Sequence, residues 1–204
     1  MAITPMMKTR LRPLAAALVL SAAATTANAN VIDFADSAQT AGLGATVTLD
    51  ITMDFVDTTV GGSFDIVYDA GLLSFVSFEF DDAFLDLIDP AFTVLPDNCL
   101  TDGAAIAGCD VGDPELNGIA FGNFDGISGE LLIGSVTFQT LDLGIAAVTM
   151  ATNDAPWEGF IDLNANEMLV LYGPGTVRVV PLPAGLWLLL SAVGLAGAVR
   201  RNRA

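Results

Sequence analysis

An all-β fold, an antiparallel sandwich of two sheets, is what the sequence predicts for residues 30–180 of this 204-residue chain. Three observations lead there. Apolar and polar residues alternate with a period of two, turn-forming residues interrupt the alternation at short intervals, and no long amphipathic helix occurs. Short strands spaced this way, with alternating Phe, Val, Leu and Ile to fill a core, argue for two packed sheets rather than a helical or α/β architecture.

The elements follow in order. Residues 1–29 have the three parts of a secretory signal peptide: Lys8, Arg10 and Arg12, then the apolar run Leu14–Ala24, then Ala27-Asn28-Ala29. About 11 apolar residues are too few to span a bilayer. Cleavage after Ala29 makes Asn30 the first mature residue.

Val31–Phe34 opens the β domain, residues 30–180. In Thr46–Phe55, Val47, Leu49, Ile51, Met53 and Phe55 point one way and Thr46, Thr48, Asp50, Thr52 and Asp54 the other. Gly61-Gly62 is expected to turn the chain into Ser63–Tyr68. Asp69-Ala70-Gly71 makes a further turn into Leu72–Phe80, and Asp81–Leu87 suits a short helical turn. The later strands are Ile119–Phe124, Leu131–Thr140, Ala146–Thr152, Phe160–Leu163, Met168–Tyr172 and Thr176–Val180.

Between them lies the loop Asp97–Pro114, which holds Cys99 and Cys109, the two cysteines of the chain. An even count in an exported chain favours one disulfide, worth ~3 kcal/mol by loop entropy. A metal pair is the alternative, but no His or third Cys exists to complete it.

Residues 181–204 form the third segment. Pro181-Leu182-Pro183 precedes the apolar stretch Ala184–Val199, and Arg200, Arg201 and Arg203 follow. From Leu182 the stretch has 18 residues, about 27 Å of helix, enough for one transmembrane helix with a cytoplasmic Arg-rich tail. The body then lies outside the inner membrane. Val180-Pro181-Leu182-Pro183-Ala184, the apolar helix and the Arg cluster together resemble a PEP-CTERM sorting signal of the VPLPA variant. Leu182 stands where the commonest form has Glu. The resemblance implies a Gram-negative host and an exosortase-type protease that cuts near the Pro motif. Release to the cell surface or extracellular matrix would follow, and a permanent membrane anchor is the plainer alternative.

A second resemblance lies in the body. Phe64-Asp65-Ile66-Val67-Tyr68-Asp69-Ala70-Gly71-Leu72-Leu73-Ser74-Phe75 resembles the cohesin pattern of a strand ending in Tyr-Asp, a turn, and a second strand. Gly134-Ser135-Val136-Thr137-Phe138 resembles that family's later strand. The resemblance implies a jelly-roll sandwich like those of cohesins and their carbohydrate-binding relatives, which bind rather than catalyse. A partner would be a separate chain, because no dockerin-like repeat occurs here.

The charges restrict function further. The body has Arg178 as its one basic residue, against 24 acids between Asp33 and Glu167. That balance excludes nucleic acid, whose phosphates require Lys or Arg clusters. With no His and no Lys in the body, nothing activates a Ser or Thr nucleophile. Paired carboxylates suit glycoside hydrolysis, but with so many acids that condition selects nothing, Glu130 and Glu158 included. The chain reads as a non-enzyme acting in adhesion or protein–protein binding. Binding of an exopolysaccharide is the alternative, with Trp157 as the candidate stacking residue, and a glycoside hydrolase is a distant third.

Calcium is the one cofactor the residues suggest. Asp162, Asn164 and Asn166 have the spacing that starts a calcium loop, although Glu167 replaces the required Gly and Gly173 falls where a bidentate Glu belongs. The same residues read as a hairpin turn. Asp97, Asn98, Asp102, Asp110, Asp113, Glu115 and Asn117 gather around the cysteine loop, as calcium ligands or as solvated acids.

Overall fold

The computed structural model describes residues 29–100, 112–153 and 159–181. The described elements are β1 (Asn30–Phe34), β2 (Ala38–Gly42), β3 (Thr46–Tyr68), β4 (Leu73–Phe80), α1 (Asp82–Leu85), a 3₁₀ turn (Pro90–Phe92) and β5 (Asp97–Asn98). They continue with β6 (Glu115–Thr140), β7 (Gly144–Thr152), β8 (Phe160–Asp162), β9 (Glu167–Met168), β10 (Val170–Tyr172) and β11 (Gly175–Val180).

β3 and β6 form one long antiparallel ribbon that serves both layers of the sandwich. The first half of β3 and the second half of β6 build a layer ordered β10–β1–β3–β6–β4. The other halves build the layer β2–β11–β7–β3–β6–β5. Side chains from both meet in one core, where Tyr68 of the second layer lies 5.0 Å from Phe138 of the first.

The alternation in Thr46–Phe55 appears as read, with Val47, Leu49, Ile51, Met53 and Phe55 buried. Beyond it the phase changes, and Phe64, Ile66 and Tyr68 are the buried set. A strand passing from one layer to the other must present its opposite face to the core, so an odd residue has to be inserted. The register shifts between Phe55 and Gly61 supply it. The buried Thr59 hydroxyl pins the bend, donating to the Ile161 carbonyl at 2.8 Å and accepting from the Gly61 amide at 3.0 Å.

Gly61-Gly62 is therefore not a turn. It lies inside β3, where a Cβ at Gly61 would strike the Phe121 carbonyl and one at Gly62 the Gly159 carbonyl. These glycines permit close approach of neighbouring backbones. Ile119–Phe124 and Leu131–Thr140 likewise belong to one strand, β6, rather than two.

The sandwich also departs from a wholly antiparallel arrangement. β1 pairs parallel with β10, and β2 parallel with β11. The two terminal segments run side by side and cross together from one layer to the other, and the alternation of side chains carries no record of strand direction. β2, Ala38–Gly42, lacks apolar alternation and was not expected; its strand form comes from the β11 partner.

The turn at Asp69 forms as expected, with Leu73 N donating to the Asp69 carbonyl at 2.8 Å. Asp81 caps α1 by accepting from the Ala83 and Phe84 amides, and Phe84 is buried against Phe121. Among the described residues no helix is long and apolar enough to cross a membrane. The expected helix at 184–199 lies outside them.

Candidate functional site

On the outward side of the second layer, β3, β6 and β8 leave an apolar groove of about 330 Å³. Gly61, Gly62, Gly122 and Gly159 line it and carry no side chain to fill it. Its walls are Val60, Phe92, Val94, Phe124 and Ile161. The segment that carries Phe92 is held along β6: Asp89 N donates to the Gly122 carbonyl at 2.8 Å, and Val94 and Ala120 exchange backbone hydrogen bonds. The Asp89 side chain accepts from the Ala91 amide at 2.9 Å and starts the 3₁₀ turn.

Phe92 and Phe124 meet edge to face at 5.0 Å. Phe124 is nevertheless 73% exposed. Covering a side chain of that size is worth about 1.5–3 kcal/mol, so it is a natural anchor for a partner. Asp57, Asp162 and Glu167 line the adjoining polar cleft. The one cationic side chain among the described residues, Arg178, lies on β11, two strands from β3. The groove is thus apolar in an acidic field.

Beside it runs a row of buried polar side chains: Ser63, Asp65, Asn117 and Asn153. Asp65 is 4% exposed, and its Oδ1 accepts from the Gly118 amide and from Asn153 Nδ2, both at 2.7 Å. Asp97 Oδ2 and Asn117 Oδ1 are buried with no hydrogen-bond partner. On the opposite face of β5, Asn98 Oδ1 accepts from Tyr68 OH at 3.4 Å, and burial pushes that phenol's pKa up.

The residues singled out from the sequence fall as follows. Asp162, Asn164 and Asn166 come together in the β8–β9 hairpin, with Ala165 in the left-handed region at φ 59°. Asp162 Oδ1 accepts from the Asn164 amide at 2.7 Å and the Asn166 amide at 2.8 Å, and Oδ2 from Asn166 Nδ2 at 2.9 Å. These bonds, the Asn166 side chain first, hold the Asp162 carboxyl below its ordinary pKa. The carboxylate is turned into its own loop, the hairpin arrangement.

Asn30 starts β1 and is buried, its amide bonded to Asp57 at both ends. Val180 ends β11, and Pro181 follows it. Cys99 is buried. Cys109, Trp157, Ala27, Leu182, Pro183, Ala184, Arg200, Arg201 and Arg203 lie outside the described residues.

The groove was missed in the sequence. Phe124 ends the expected strand Ile119–Phe124, and alternation within a strand does not show which aromatic the neighbouring segments leave uncovered. Its isolation among polar neighbours was the signal available.

No family model matches the sequence, and no curated protein does. Solved structures match in shape. A non-cellulosomal cohesin from the hyperthermophilic archaeon Archaeoglobus fulgidus is 16% identical, with a TM-score of 0.52, over 74% of this chain and 91% of that one. The seventh ScaB type I cohesin from Pseudobacteroides cellulosolvens is 15% identical, with a TM-score of 0.53, over 76% and 94%. A type I cohesin–dockerin complex from Clostridium thermocellum matches at 12% identity and a TM-score of 0.53, over 74% and 95%. The described residues thus have the cohesin-like β-sandwich fold.

Proposed function

We propose that this chain is an exported, non-catalytic surface or matrix protein whose sandwich binds another protein. The observation that carries the reading is an exposed apolar groove, anchored by Phe124, on a cohesin-like sandwich. Complexes of such sandwiches with dockerins are among the matching structures, and they supply the analogy. The signal peptide at residues 1–29 exports the chain. The segment 181–204 sorts it through an exosortase-type cut after transient anchoring in the inner membrane.

Intact-mass analysis of surface and medium fractions tests the sorting. A species beginning at Asn30 and ending near Pro181–Ala184 is expected. A species that keeps Arg200–Ala204 in the inner membrane would make the tail a permanent anchor. Cross-linking on the cell surface tests the binding: a defined protein partner, rebound as a purified component and lost in Phe124→Ser, is expected. Glycan-array binding abolished by Trp157→Ala would replace this reading with polysaccharide binding.

A further inference from the structure

Asp97 and Asn117 face each other directly across the β5–β6 pair. Their neighbours Asn98 and Leu116 point toward Tyr68 and the core, so Asp97 and Asn117 both project from the outward face. Directly opposed side chains of an antiparallel pair have Cβ atoms about 4.5–5.5 Å apart. Asn117 is 2% exposed, and its Oδ1 has no donor. Asp97 Oδ2 is also buried without a donor. A native fold leaves few buried acceptors unsatisfied, and two facing ones, one of them a carboxylate, want a positive charge between them. Among the described residues no lysine or arginine side chain supplies it, since Arg178 is on a distant strand.

We propose that Asp97 Oδ2 and Asn117 Oδ1 ligate a calcium ion on the outward face of β5 and β6. Both donors are hard oxygens, without sulfur or imidazole, which suits calcium rather than zinc or copper. Calcium accepts carbonyl and water oxygens for its remaining positions in a flexible shell, whereas magnesium demands a near-ideal octahedron.

The pair is held in place before any ion arrives. Gly118, at φ 80°, bulges β6 opposite Asp65, and its amide donates to Asp65 Oδ1 at 2.7 Å. That bond sets the direction of the adjacent Asn117 and brings a second carboxylate next to the site. On β5, Asn98 Oδ1 accepts from the Leu100 amide at 3.2 Å and from Tyr68 OH, which fixes the backbone carrying Asp97. With one carboxylate as direct ligand, the dissociation constant belongs in the range of weak extracellular sites, about 10⁻⁴–10⁻³ M. The competing arrangement is an Asn117 amide rotated half a turn, its Nδ2 donating to Asp97 and binding no ion.

The full chain, stripped with chelator, is melted in rising calcium chloride and in sodium chloride of equal ionic strength. A saturable rise in Tm with calcium alone is expected. Asp97→Asn and Asn117→Leu are expected to weaken the apparent affinity roughly tenfold or more. Asp162→Asn keeps the full response, which separates this site from the β8–β9 hairpin. Equal shifts in both salts, or a calcium response intact in both β5–β6 variants, would overturn the proposal. If a variant does not fold, the side-chain amide resonances of Asn117 in the wild-type chain decide. Movement with calcium supports the site, and resonances indifferent to it refute the site.

Discussion

The Asp162 carboxylate accepts from Asn164 and Asn166 within a single tight loop, and those bonds are stronger while it is ionised. Its folded pKa lies below the ordinary value of 3.8. The group therefore favours the closed hairpin above that value, and the contribution is lost as pH falls through the lower folded value. Backbone amide shifts of Asn164 and Asn166, followed by NMR, are expected to titrate below pH 3.8 and to be pH-independent in Asp162→Ala. The D-x-N-x-N spacing was legible as a choice between a calcium loop and a turn. Spacing alone shows which atoms are close and not whether the loop's own N–H groups already occupy the carboxylate.

At the scale of elements, β3 and β6 carry the architecture, because each contributes to both layers. Phe138 of β6 is fully buried, with Tyr68 at 5.0 Å and Phe75 at 6.4 Å. Phe124, in the same strand, stands in solvent. Denaturant unfolding is expected to show a loss of about 3–5 kcal/mol for Phe138→Ala and a change within about 0.5 kcal/mol for Phe124→Ala. Equal losses would mean that Phe124 belongs to the core and that the groove is misassigned. The five inward residues of Thr46–Phe55 were legible because their period matches the pleat. The continuation through Gly61-Gly62 was not, since paired glycines mark either a turn or a close approach of backbones. Only the neighbours Phe121 and Gly159 decide between them.

Across the whole molecule, 24 acids share the body with one arginine, so the folded state works against its own charge. Salt shortens the reach of that repulsion to ~10 Å at 0.1 M and ~3 Å at 1 M. The Tm is expected to climb by several degrees over that range in sodium chloride, and a flat profile would show that the repulsion is not limiting. Calcium is expected to add a separate, saturable increment at far lower ionic strength.

Composition and alternation were sufficient for the all-β class and for the inward residues of Thr46–Phe55, because each of these depends on residue type and local period. The Tyr-Asp turn and its flanking strands were enough to point to a cohesin-like sandwich. Tertiary structure decided the rest. It set the phase change in β3, the parallel pairing of β1 with β10 and β2 with β11, the Phe124 groove and the two facing oxygens of Asp97 and Asn117. All of these are relations between segments far apart in the chain, and a local period cannot encode which distant backbone lies alongside.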